Sequence, residues 1–533
     1  MDLRLYDTTL RDGTQREGMS LSVEDKLKIA RRLDRLGIDY LEGGWPGSNP
    51  KDAEFFRRVK QAGLTHARVA AFGMTRRANG RTEDDANLRA LVEAETPVVT
   101  IVGKTSVLHV ERVLETTRDE NLRMIGDSVR FLKQLGKEVI YDAEHFFDGA
   151  RLDSDYAVAT LRAAADAGAD CVVLCDTNGG ELPHVVEQRV CDLKNRLEVP
   201  LGIHTHNDSG LALANALAAV RAGCVHVQGT INGYGERCGN LDLIPLIATL
   251  QYKLGMDVVT SDQMQGLTEA SHFVAAVANL NPDPHQPYVG KSAFAHKGGI
   301  HVAAVAKLAD TYQHIDPAVV GNEMRVVVSE LAGRRNISLR ARALGLEVGA
   351  QEQQLLQQIK DLEHAGFQFE EAEGSFEMLV RRAAPAYRAP FELLGFTVIV
   401  EQGKGTSGQI SAQAIVKLQI GDEVMHTAAE GAGPVNALDR AIRKGLIPHY
   451  PELADVRLVD YKVRIIDDHL ATAAKPRVVI ESARGSERWS TVGCSENIIE
   501  ASWQALRDGF ELPLLRDGER RQGTERDGSR TRP

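Results

Sequence analysis

Leu3–Gly44 reads LRLYDTTLRDGTQREGMSLSVEDKLKIARRLDRLGIDYLEGG and spells out one complete β/α unit. LRLYD and YLEGG are short β-rich runs. Between them, VEDKLKIARRLDRLG repeats apolar residues at helical spacing and stops at Gly37, a residue suited to a helix end. The pattern continues outward through ARVAAFG, PVVTIVG, EVIYDAE, DCVVLCD, LGIHTH and VHVQGTI. Helical stretches such as DYAVATLRAAADAG and LALANALAAVRAG lie between them and close on Gly168 and Gly223. Eight strands alternating with helices predict an α/β fold, a parallel (β/α)8 TIM barrel over residues 1–260. A doubly wound open sheet is the alternative, because alternation alone does not prove closure.

In such barrels the reactive groups sit at the C-terminal ends of the strands. Here Asp7, Arg11 and Asp12 follow the first strand and Glu42 ends the second. Glu144 ends the fifth, Asp176 and Thr177 the sixth, His204 and His206 the seventh, and Asn232 to Asn240 follow the eighth. Residues i and i+2 of a strand share a face, so His204 and His206 in GIHTHND can converge on one ion. With Asp12 and Asn240 they form a mixed oxygen and nitrogen set that suits Zn²⁺, Mn²⁺, Co²⁺ or Mg²⁺. HxH alone is a weak signal, equally readable as two core histidines. Asp208 would orient a ligand imidazole or cap the helix that follows. Arg11 would stabilise a developing oxyanion, or pair with Asp7 or Glu42. Glu144 suits a general base or a substrate-orienting group, and Thr177 a carboxylate contact or a plain turn.

Composition narrows the partners. The chain has 533 residues and a net charge of -11, with basic and acidic residues mixed rather than blocked. Nucleic-acid and membrane-surface binding are not expected, and no run reaches transmembrane length. Six cysteines without ribbon or framework spacing suit reduced thiols and a cytoplasmic protein. After the barrel, 261–385 reads as a mainly helical linker subdomain. It carries AFAHKGGIH, in which His296 and His301 are candidates for proton transfer or for a helix start. Residues 386–515 alternate β-rich runs with the helices VNALDRAIRKGL and ENIIEASWQALRDG, an α+β domain whose order of β-runs then helix occurs twice. The polar, aperiodic stretch 516–533 is expected to be a disordered tail.

DTTLRDGTQ, GIHTHND and NGYGERCGN, in that order, resemble the metal-dependent Claisen-condensing family of α-isopropylmalate, homocitrate and citramalate synthases. GPVNALDRAIRKGL, DYKVRIID and WSTVGCSENIIEASWQAL resemble the regulatory domain of its isopropylmalate/citramalate branch. The resemblance implies an acyltransferase that condenses acetyl-CoA with a 2-oxo acid using a divalent metal. It implies Asp12, His204, His206 and Asn240 as ligands, Arg11 beside the substrate carbonyl, Glu144 near the acetyl group and Thr177 on the 2-oxo acid carboxylate. It further implies that His301 and Tyr312 reach the active site, that the protein is a homodimer, and that an amino acid is the effector. YLEGGWPGSNPKDAEFF is similar to the citramalate subgroup. Trp45 would narrow the pocket for pyruvate, giving isoleucine as the end product and effector. 2-Oxoisovalerate, with leucine, is the alternative. A related metal-dependent lyase or aldolase would share only the barrel. Ala432 stands in GAGPVNAL where the family usually has an acidic residue, which leaves open whether feedback persists.

Overall fold

The computed structural model describes residues 3–329, 332–348, 351–402, 410–466 and 474–528. Eight parallel strands form one closed barrel: β1 (Arg4–Asp7), β2 (Tyr40–Gly44), β3 (Arg68–Met74), β4 (Val98–Lys104), β5 (Glu138–Glu144), β6 (Cys171–Asp176), β7 (Leu201–Thr205) and β8 (His226–Gly229). Closure is made by β1 on β8, with Leu5 opposite Val227 and Asp7 opposite Gly229, which excludes the open sheet.

The first unit shows why the sequence folds this way. Ser22 accepts from the Asp25 backbone N–H while the Asp25 side chain accepts from Ser22, so a capping box starts the helix Val23–Leu36. Gly37 ends it at φ +89°, its N–H donating to the carbonyls of Leu33 and Asp34. Leu27, Ile29, Ala30 and Leu33 are buried against the strands. Inside the barrel Tyr6, Tyr40, Ala70, Val98, Ile140, Cys171 and Val173 pack together, so the lumen is a filled core rather than a pore.

The first compact unit comprises Met1–Phe294 and His314–Met324, which extends past residue 260. The reason is packing: Leu267, Ala270 and Val274 of the helix Leu267–Val277 join the core around the barrel, and Arg32 pairs with Glu269 at 2.8 Å.

The second unit comprises Ala295–Gln313 and Arg325–Pro533. It holds the two-residue strands β9 (Ala295–His296) and β10 (Arg325–Val326) and two three-stranded antiparallel sheets. The first sheet is β11 (Glu392–Gln402), β12 (Ile410–Ile420) and β13 (Glu423–Gly431), followed by the helix Pro434–Leu446. The second is β14 (Arg457–Ile465), β15 (Pro476–Arg484) and β16 (Glu487–Cys494), followed by the helix Ile498–Gly528. The twofold β-run-then-helix order is therefore a repeated three-strand-plus-helix module.

The stretch expected to be a tail from 516 differs. The last helix runs on to Gly528, and the charges of its 516–519 turn have partners. Arg516 pairs with Glu377 and Glu487, Asp517 with Arg484, and Glu519 with Arg381. Residues 529–533 lie outside the described residues. All six cysteines are free, and no described helix is long and apolar enough to cross a membrane.

Candidate active site

A cavity of about 360 Å³ opens at the C-terminal ends of the barrel strands. Arg11, Asp12, Trp45, Phe72, Lys104, Asp142, Glu144, Thr177, His204, His206 and Arg237 line it.

Asp12 comes from the tight turn after β1, where its N–H donates to Thr8 Oγ1. His204 lies on β7, and His206 just past its end is bridged to Asn240 by the backbone. Gly235 makes room there, since a Cβ at that position would stand 1.9 Å from Asn240 Oδ1. The His204 and His206 Nε2 atoms lie 3.2 Å apart, and 3.4 and 4.0 Å from Asp12 Oδ2. Asn240 Nδ2 donates to Asp12 Oδ2 at 2.8 Å, while its Oδ1 is buried without a partner. A half-turn of the amide exchanges these atoms and turns the oxygen to the cluster.

Two imidazole nitrogens and a carboxylate facing one point within 4.8 Å fit a divalent cation, and the orphaned amide oxygen supplies a fourth donor. The electrostatics agree. Burial pushes Asp12 up, but Arg11 and the two histidines outweigh it and hold the carboxyl down at about 2. Burial and the neighbouring His204 push His206 down to about 3, so it stays a neutral donor.

Arg11 pairs with Glu42 rather than Asp7, its Nε donating to Oε1 at 2.5 Å. Tyr6 OH donates to the other Glu42 oxygen at 2.6 Å. Asp7 instead accepts from the Thr9 N–H and hydroxyl, and burial pushes it up to about 7. The Arg11 guanidinium lies 3.8 Å over the Phe72 ring and 3.5 Å from Asp12, so it is clamped at the cation cluster. Trp45 stands edge-on to Phe72 at 5.7 Å and donates from Nε1 to Asn87 Oδ1 at 2.9 Å, which fixes one wall.

Glu144 ends β5 beside the ammonium of Lys104, its direct partner in the β4–β5 register. Thr177 Oγ1 accepts from the His145 N–H at 2.8 Å, leaving its own proton to donate into the cavity. Asp208 takes neither expected role. It pairs with Arg237 at 2.8 and 3.0 Å, and Asn207 Oδ1 accepts the first helix N–H, from Ala212.

His301, on the helix Gly299–Val305, and Tyr312 belong to the second unit, where their rings stack at 4.2 Å. Sequence reasoning missed Lys104, Asp142, Gln228 and Arg237. Of these, only Lys104 at a strand end and Arg237 in NGYGERCGN carried a signal.

The HMGL-like family model matches residues 2–274, the homocitrate synthase post-HMGL domain-like model 288–366, and the LeuA allosteric (dimerisation) domain model 370–513. The (R)-citramalate synthase of Geobacter sulfurreducens is 50% identical, covering 97% of this chain and 98% of its own length. That of Aquifex aeolicus is 49% identical with the same coverage, 97% and 98%. A probable 2-isopropylmalate synthase of Methanopyrus kandleri is 32% identical over 95% of this chain and 97% of its own. With a closed barrel, a carboxylate–imidazole cluster at its mouth and these matches along nearly its whole length, the chain belongs to the HMGL-like family, within its group of (R)-citramalate synthases.

Proposed function

We propose that this protein condenses acetyl-CoA with pyruvate and water to give citramalate and CoA. The observation that carries the reading is the buried cluster of Asp12, His204 and His206 with Arg11 clamped beside it. Asp12, His204, His206 and the Asn240 amide oxygen hold a divalent ion, Mn²⁺, Zn²⁺, Co²⁺ or Mg²⁺, which on binding supplies Lewis-acid polarisation of the 2-oxo acid ketone.

The side chains do the rest. The Thr177 hydroxyl, already an acceptor from His145, donates to the pyruvate carboxylate. The methyl proton of acetyl-CoA passes to Glu144, held by Lys104. The methyl carbon then bonds to the ketone carbon, and Arg11 stabilises the alkoxide that forms. Water cleaves the thioester and releases CoA. The wall made by Trp45 and Phe72 favours a methyl over a branched side chain on the 2-oxo acid. The domain from 370 to 513 is the interface of a homodimer and the seat of feedback by isoleucine, the end product that citramalate serves.

Thiol release tests the reaction. CoA should appear only when acetyl-CoA, a 2-oxo acid and the divalent ion are all present, with citramalate as the carbon product. Carbon–carbon cleavage of a hydroxy-acyl-CoA without net condensation would replace the synthase by a lyase.

A further inference from the structure

We propose that Gln228 is a positioning residue for His204, fixing its imidazole with the proton on Nδ1 and Nε2 facing Asp12 and His206. The proposal rests on the reading that His204 holds the metal. His204 Nδ1 lies 2.9 Å from Gln228 Oε1, and Gln228 Nε2 donates to Asp142 Oδ1 at 2.9 Å. The three side chains come from β7, β8 and β5; His204 and Asp142 also line the cavity, and Gln228 lies between them. Gln228 is 0% exposed, Asp142 3% and His204 6%.

An amide has one accepting and one donating end. Asp142 engages the donating end, so the oxygen must face His204. An oxygen there can only accept, which places the imidazole proton on Nδ1 and the lone pair on Nε2. That is the form a metal requires. A half-turn of Gln228 would set its NH₂ against Nδ1 and its oxygen against the Asp142 carboxyl, breaking both contacts unless both partners changed protonation. Burial pushes the Asp142 carboxyl up to about 8, so above that pH it is ionised and can only accept from the Gln228 NH₂.

The second imidazole is held differently. His206 Nδ1 is buried with no hydrogen-bond partner, and only its Nε2 meets a neighbour, His204 Nε2 at 3.2 Å. Glu42 does for Arg11 what Asp142 does, through Gln228, for His204: each is a buried acid behind a group at the cavity.

The test uses the full-length protein labelled with ¹⁵N-histidine. Long-range ¹H–¹⁵N spectra at pH 9.5, where Asp142 is ionised, before metal addition and assigned with His204→Gln, should show His204 with its proton on Nδ1. In Gln228→Met, of similar length without the acceptor, that preference should be lost and the dissociation constant for Co²⁺ should rise about 10- to 100-fold. Gln228→Glu restores an oxygen acceptor and should recover most of the Co²⁺ affinity and its visible absorption bands. A proton on Nε2 in the parent, or unchanged Co²⁺ affinity in a folded Gln228→Met protein, overturns the proposal. If Gln228→Met does not fold, the tautomer in the parent still decides. If the parent binds no Co²⁺, the metal reading fails, while the tautomer still judges Gln228.

Discussion

The cavity at the barrel mouth, about 360 Å³, is smaller than one of about 550 Å³ in the second unit lined by Gln354, Phe367, Arg382, Arg507 and Asp508. Both contain buried charge. In the larger cavity opposite charges meet each other: Arg382 lies 2.7 Å from Asp508 and also pairs with Glu511, and Ser375 donates to Asp508 at 2.7 Å. The barrel mouth also has paired charges, Arg11 with Asp12 and Lys104 with Glu144, but a mixed set of nitrogen and oxygen donors converges beside them. Two imidazole nitrogens and a carboxylate oxygen face one point, and an amide oxygen beside them has no partner. What separates the two is the convergence of imidazole nitrogens with a carboxylate, a donor set suited to a cation, which the larger cavity lacks among the described residues. Volume does not tell the two apart.

The contrast breaks most sharply at the cation cluster. Asp12→Ala or His204→Ala should lower kcat by at least about 10³-fold and abolish metal binding, with the circular dichroism melt retained, because Lewis-acid polarisation is lost. A metal-free variant with parental turnover would contradict the site. Arg11→Gln comes next. It should cost about 10²- to 10³-fold in kcat with little change in KM for the 2-oxo acid, as for removal of one oxyanion donor. A rise in KM alone would make Arg11 a ground-state contact.

In the second cavity the readout should invert. Asp508→Ala leaves Arg382 with Glu511 alone and should destabilise the protein by about 3 kcal/mol in denaturant titration. Its kcat should stay within about twofold of the parent. A large loss of kcat at full stability would make that cavity a second working site.

A smaller effect is one of slope. Burial pushes His226, inside the barrel beside Tyr6, down to about 3 from an ordinary 6.5. The unfolded chain therefore takes up its proton before the folded one does. Stability from His226 is full above pH 6.5 and falls as pH drops from there towards 3. His226→Gln should flatten that fall, and an unchanged slope would place the acid sensitivity elsewhere. The smallest effect is expected at Ala432, an exposed residue whose N–H is taken by Asn436 Oδ1 at 3.2 Å. Ala432→Asp should leave kcat within about twofold and change only the response to an amino-acid effector, read as a shift in inhibition midpoint across isoleucine, leucine and valine.

The barrel was legible because strand and helix periods alternate without interruption from LRLYD to VHVQGTI, and because the first, fifth, sixth and seventh runs end on or just before Asp, Glu or His. His204 and His206 were legible as a pair because the period of a strand puts i and i+2 on one face. What lay behind them was not. Gln228 in VHVQGTI reads as an ordinary strand residue, and only barrel closure carries it to His204 on one side and Asp142 on the other. Lys104 meets Glu144 through the β4–β5 register, which sequence spacing does not encode. The stretch from 516 misled for the same reason. Its composition is that of a solvated chain, but Arg516 and Asp517 have partners up to 139 positions away.

The most direct test of the central claim is a 2-oxo acid panel with purified protein, acetyl-CoA and Mn²⁺ or Mg²⁺, following thiol release. The account predicts that pyruvate gives the highest kcat/KM, with 2-oxoisovalerate well below it. A preference for 2-oxoisovalerate would leave the barrel and its cation cluster standing and would contradict the assignment to citramalate and the reading of the Trp45 wall.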